Sequence, residues 1–259
     1  MDKVTSKDGT IITYDRLGEG PAVILVCGGS VDRMSNAGVA ELLAKQFTVY
    51  NYDRRGRNES GDTPPYAVER EIEDIDAVVD AAGGSAYLFG SSSGAALALE
   101  AARQLPGRIT KLALWEPPYI PDGFPRPPAN TAQIFSDLVA EGKRDAAAEF
   151  FMAKVVGLPP EFVAQARTSP WWPGQLALAH TLAYDAIIMG DYTLPVERVA
   201  EVKIPTLVLD GGASFPFMHV TAQALVDHLP NPQHRTLEGQ RHDVSAEALA
   251  PVLAEFFNG

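Results

Sequence analysis

Apolar residues along this chain follow two rhythms. Short, nearly continuous apolar runs occupy Ala22–Val26, Phe47–Tyr52, Ala86–Phe89, Lys111–Trp115 and Pro205–Leu209. Each is long enough for a strand and too short for a helix. Between them the period changes: Val68, Ile72, Ile75, Val79 and Ala82 recur at helical spacing, with Glu and Asp on the opposite face. Further helices are predicted over Asn36–Gln46, Gly94–Gln104, Met218–His228 and Ser245–Phe257. Strands without a polar face, alternating with helices, predict a mostly parallel sheet covered on both sides. A two-stranded start, Lys3–Ser6 and Thr10–Tyr14 around Asp8-Gly9, and a last strand at His234–Leu237 complete the pattern.

The rhythm breaks once. Pro117, Pro118, Pro121, Pro125, Pro127 and Pro128 crowd the stretch after Trp115, and regular structure does not survive that density. Residues 131–200 then read as helices, Thr131–Glu141, Asp145–Val156, Pro160–Arg167 and Gly174–Ile188, with no core strand among them. The expected organisation is a core of residues 1–116 and 201–259 interrupted by an inserted helical cap, residues 117–200.

The chemistry sits at the turn between the Ala86–Phe89 strand and the helix that follows. Gly90-x-Ser92-x-Gly94 is the pattern of a nucleophile elbow, in which a serine is held on a sharp strand-to-helix turn. Glycine at both flanking positions lets the backbones approach, and the helix N-terminus just beyond Ser92 favours developing negative charge. Ser91 and Ser93 are rival hydroxyls, but only Ser92 has glycine on both sides. A serine hydroxyl needs a base. Of the five histidines, His242 lies in the loop between the last strand and the last helix, at the sheet edge where Ser92 sits. Backbone N–H groups of Ser93 and Gly29, the latter in Cys27-Gly28-Gly29-Ser30, are the expected oxyanion donors.

With these pieces in order, the chain resembles the α/β-hydrolase fold superfamily. The matching parts are the strand ending in Gly28-Gly29, the Asp53-Arg54-Arg55-Gly56 turn, the elbow, Pro205–Leu209 and the Gly239…His242 loop. The resemblance implies an α/β fold with an eight-stranded, mostly parallel sheet and a Ser–His–acid triad. It departs from the family at the acid. Ser214 stands where relatives usually carry an Asp beyond the Pro205–Leu209 strand. Two carboxylates are candidates in its place, Glu116 directly after Lys111–Trp115 and Asp210 at the end of the next strand. The Asp53-Arg54-Arg55 charge run is expected to be structural and, as a run, solvated.

Composition narrows the partners. The chain has 259 residues, 46% of them hydrophobic, and a formal net charge of −12. Such acidity disfavours nucleic acid and anionic membranes, leaving a small-molecule substrate as the expected partner. Oligomeric state is not legible. One cysteine, Cys27, fits a reducing, cytoplasmic setting, and no signal-peptide pattern opens the chain. Nothing resembles a phosphate loop, a dinucleotide fingerprint or a metal cluster, so neither cofactor nor metal is expected. The cap's Trp171 and Trp172, together with Phe215 and Phe217, either line an apolar acyl pocket or pack as ordinary core. The expected activity is that of a cofactor-free serine hydrolase for a small, uncharged, partly apolar ester, lactone or thioester. A non-catalytic binding protein, or a C–C bond hydrolase, perhydrolase or lyase on the same fold, are the alternatives.

Overall fold

A computed structural model describes residues 1–259. The antiparallel start consists of β1 (Asp2–Thr5) and β2 (Ile11–Leu17). The core continues through β3 (Ala22–Val26), α1 (Ala37–Leu43), β4 (Thr48–Tyr52), α2 (Val68–Ala81), β5 (Ala86–Ser91), α3 (Ser93–Gln104) and β6 (Ile109–Trp115). Six helices follow without a strand: α4 (Thr131–Ala140), α5 (Arg144–Phe150), α6 (Pro160–Ala166), α7 (Trp172–Leu178), α8 (Leu182–Met189) and α9 (Val196–Val199). Then come β7 (Thr206–Gly211), α10 (Pro216–His228), β8 (Pro232–Leu237) and α11 (Ala246–Asn258).

The eight strands form one sheet in the order β1-β2-β4-β3-β5-β6-β7-β8, parallel from β4 to β8. Its two faces bury separate cores. Ile24, Val26, Leu88, Leu112, Leu114 and Val208 pack toward α2, α3 and α10. Val23, Leu25, Phe89, Ala113, Trp115, Leu207 and Leu209 pack toward α1 and α11. Alternate residues of one strand thus serve opposite cores, which is why these runs lack a polar face. Strand order reverses around β3, whose neighbours are β4 and β5. The crevice beyond the carboxyl ends of strands at such a reversal is where ligands bind in open α/β sheets.

Among the inserted helices, the expected continuous Gly174–Ile188 helix is divided. The Thr181 hydroxyl donates to the Leu178 carbonyl at 2.8 Å within a 3₁₀ turn, Ala179–Thr181, that separates α7 from α8. A threonine hydroxyl competing for a carbonyl is a common cause of such local irregularity. Likewise α5 passes into a π turn over Phe151–Val155.

Candidate active site

The elbow has the geometry its glycines require. Ser92 adopts φ 55° and ψ −127°, a conformation seldom taken by a residue with a side chain. A Cβ at position 90 would sit 2.7 Å from Ala95 Cα, and one at position 94 would sit 2.6 Å from the Val26 carbonyl oxygen. Glycine alone permits both approaches. The Ser92 N–H donates to the Trp115 carbonyl at 2.8 Å, tying the elbow to the end of β6.

Glu116 is the next residue. It lies in the left-handed region, φ 43°, and its N–H donates to the Leu209 carbonyl of β7 at 3.0 Å. The buried carboxylate turns along the sheet edge. Its Oε2 lies 2.6 Å from His242 Nδ1 and accepts from the Ser214 hydroxyl at 2.8 Å, while Oε1 accepts from the Gly211 N–H at 2.7 Å. The serine at the usual acid position thus holds another residue's carboxylate in place. Trp115 points to the opposite core, and its indole Nε1 donates to the His242 carbonyl at 2.9 Å, anchoring the histidine loop.

Ser92, Ser93, Gly29, His242 and Phe215 line one cavity of about 440 Å³. Gly29 and Ser93 both leave their N–H groups without a backbone acceptor, as donors to an oxyanion must. The structure brings Ser92 and His242 to the same cavity without a direct hydrogen bond between them. Apolar side chains from the inserted helices, among them Phe135, Phe151, Val155, Leu182 and Met189, meet Phe215, Phe217 and Met218 across it.

Three expectations need correction. Asp210 is not placed at the cavity. Its carboxylate bonds to His219 Nδ1, to His234 Nε2 at 2.8 Å and to the Thr236 hydroxyl at 3.0 Å. It belongs to β7 proper, so its side chain stands on the sheet face that packs against α10, beside His234 and Thr236 of β8, rather than over the edge. Trp171 and Trp172 do not line the cavity. Trp172 packs with Ala148, Met152, Val163 and Ala166 in a small core of the inserted helices, and Trp171 is largely exposed. The charge run is not solvated either, since Arg54, Arg55 and Arg57 are at most 1% exposed. Arg54 pairs with Glu71 and Asp185, Arg55 with Asp74 and Asp8, and Arg57 with Asp185.

Asp185, from α8, escaped sequence reading because its partners lie 92 to 131 residues away. Burial by itself would raise its pKa, but the Arg57 and Arg54 guanidiniums and the Ser93 hydroxyl outweigh it and hold the group below the usual carboxylate range. Asn36 was also missed. It is buried, it lines the cavity, and its amide nitrogen has no partner. No group of three or more His, Cys, Asp or Glu side chains is arranged to hold a metal ion. No helix is long and apolar enough to cross a membrane.

The sequence profile described as the alpha/beta hydrolase family matches residues 23–255. The chain belongs to the alpha/beta hydrolase family. Within it, a crystal structure of an alpha/beta hydrolase from Sphaerobacter thermophilus shares 53% identity over 99% of this chain and 100% of that one, with a TM-score of 0.92. Among curated proteins, the uncharacterized hydrolase YraK of Bacillus subtilis is 35% identical over 42% of this chain and 42% of its own length. The pimeloyl-[acyl-carrier protein] methyl ester esterase of Methylococcus capsulatus is 31% identical over 56% of this chain and 57% of its own length. Alignment with these two curated hydrolases therefore spans about half of each.

Proposed function

We propose that this alpha/beta hydrolase is a cofactor-free serine hydrolase acting on a small, uncharged, partly apolar carboxylic ester, lactone or thioester. Ser92 Oγ attacks the acyl carbon and its proton passes to His242 Nε2. Glu116 holds the imidazole in the tautomer that carries its proton on Nδ1 and stabilises the imidazolium. Gly29 and Ser93 N–H groups receive the oxyanion, assisted by the N-terminus of α3. His242 then returns the proton to the leaving alcohol or thiol, and water releases the acyl group by the same steps in reverse order.

The observation that carries this reading is the 2.6 Å contact between Glu116 Oε2 and His242 Nδ1. It supports Glu116 as the acid of the triad and so favours turnover over the non-catalytic binding alternative. The apolar lining supports an uncharged acyl group, and the esterase relative from Methylococcus capsulatus supports ester chemistry within the class. A cytoplasmic setting fits the single buried thiol, Cys27.

The test is a series of p-nitrophenyl esters of increasing acyl length, with Ser92→Ala as the control. Turnover of short to medium chains is expected, reduced at least ~10³-fold in the variant with thermal stability little changed. Undiminished hydrolysis by Ser92→Ala would refute the mechanism.

A further inference from the structure

The loop that carries one oxyanion donor is held by side chains from the inserted helices as well as by the core. Its carbonyls are taken by two buried arginines. Arg57 Nη1 donates to the Gly28 carbonyl and, at 2.8 Å, to that of Val31, while Arg54 Nη1 reaches the Cys27 carbonyl at 3.3 Å. Both guanidiniums are oriented by Asp185 of α8. Its Oδ1 accepts from Arg54 at 2.8 Å and from Arg57 at 2.9 Å. The same Oδ1 accepts from the Ser93 hydroxyl at 2.8 Å, and Ser93 carries the second oxyanion donor. The carboxylate also abuts Gly29, where a Cβ would lie 3.1 Å from Asp185 Oδ2.

A second clamp comes from α7. The Ser30 hydroxyl donates to Gln175 Oε1 at 2.5 Å, and Gln175 Nε2 donates back to the Ser30 carbonyl at 3.0 Å. Ser30 follows Gly29 and is held at φ 57°, a strained value for serine. Free of this pair, the backbone next to Gly29 would relax toward more populated conformations and turn the Gly29 N–H with it. The helices bearing both clamps are docked nearby by Tyr184, which donates to Asp62 at 2.8 Å and stacks on Tyr66 with ring centroids 4.0 Å apart.

We propose that Asp185 and Gln175 are positioning residues for the oxyanion hole, so that the hole is complete only while α7 and α8 are docked on the core. The proposal rests on the serine hydrolase reading above and goes beyond it: catalytic power depends on two side chains that touch no reacting atom. Preorganised donors act because their direction is fixed before charge develops. Here that direction is fixed from the helical insertion.

The experiment compares Gln175→Ala and Asp185→Asn with the wild type on p-nitrophenyl acetate, and measures the affinity of a trifluoromethyl ketone against that of its methyl ketone parent. The fluorinated ketone accepts Ser92 Oγ at its carbonyl carbon, the serine proton passes to His242, and the carbonyl oxygen becomes an oxyanion in the hole. The parent ketone binds without forming that adduct. Gln175→Ala is expected to lower kcat about tenfold and Asp185→Asn about 100-fold, with KM within about twofold. Trifluoromethyl ketone affinity should fall by matching factors while methyl ketone affinity holds. A purely structural role would lower the melting temperature but leave kcat per folded molecule and the ratio of ketone affinities unchanged, and that result overturns the proposal. Should Asp185→Asn fail to fold, Gln175→Ala together with Ser93→Ala, which keeps its N–H but loses the hydroxyl held by Asp185, decides by the same readouts. Wild-type protein that neither turns over the ester nor binds the fluorinated ketone more tightly than its parent overturns both this proposal and the hydrolase reading. An active wild type with unaffected variants overturns the positioning role alone.

Discussion

β6 and β7 run side by side, and each ends beside a buried carboxylate paired with imidazole. Glu116 meets His242 and lies behind the cavity, whereas Asp210 meets His219 and His234 and lies away from it. Burial does not distinguish the two, for their side chains are equally inaccessible. Neither does pairing with histidine. The backbone does. Glu116 is one residue past its strand and at positive φ, so its side chain leaves the pleat and runs along the sheet edge. Asp210 is still in register, opposite Thr236, so its side chain projects from the sheet face toward α10 and not along the edge. On the reading proposed above, where the chain turns decides which of two equally buried carboxylates can serve a triad, and the neighbour one strand away is left to the scaffold.

The strongest way to break this contrast is to neutralise each carboxylate in turn. Glu116→Gln should lower kcat by ~10³–10⁴ while KM for a short ester moves little, because tautomer control and imidazolium stabilisation are lost. Asp210→Asn should leave kcat within about threefold. Equal damage from both substitutions, read by steady-state kinetics, would erase the distinction.

A smaller effect tests the support of Glu116. Ser214→Ala removes one of its three hydrogen bonds and should lower kcat about tenfold. Ser214→Asp in the Glu116→Gln background should recover part of the lost turnover by restoring a carboxylate at the usual family position. No recovery would mean that position 214 cannot reach the ring. Asp210→Asn, in turn, should show its cost in stability, about 1–3 kcal/mol by urea unfolding, since the charge is lost and one of the two oxygens shared by His219, His234 and Thr236 becomes an NH2 donor.

The smallest expected effect concerns a carboxylate that serves only the scaffold. Burial would raise the Asp8 carboxyl, but hydrogen bonds from Thr10 and Arg55 prevail and hold it down to about 2. A depressed folded pKa stabilises above the unfolded value, near 4, and that contribution is lost as pH falls toward 2. Asp8→Asn should therefore melt below the wild type by no more than about 2–4 °C at neutral pH, with the gap closing between pH 4 and 2. A gap that persists at pH 2 would assign the stabilisation to something other than the charge.

What was legible in the sequence follows the range of the interactions. The elbow was readable because the crowding at Gly90 and Gly94 is a local property of a tight strand-to-helix turn. The alternation of buried strands and helices carried the sheet for the same reason. The choice between Glu116 and Asp210 was not decidable from spacing, since it depends on the register of β6 against β7 and on the φ of one residue. The Arg54–Arg57 cluster misled because a charge run is solvated unless partners reach it, and those partners, Glu71, Asp74 and Asp185, come from α2 and α8. Trp171 and Trp172 misled by size. Large aromatics suit a pocket, yet Trp172 fills the small core beneath α5 and α6.

The central claim, that Ser92 is made nucleophilic by His242 oriented through Glu116, is tested most directly by the rate and site of reaction with a fluorophosphonate. Mass spectrometry of the labelled wild type, Glu116→Gln and Asp210→Asn proteins should place one adduct on the peptide containing Ser92. Labelling of the Glu116 variant is expected to be slower by ~10³, and that of the Asp210 variant to match the wild type. An adduct on another residue, or Glu116→Gln labelling as fast as wild type, would contradict the account.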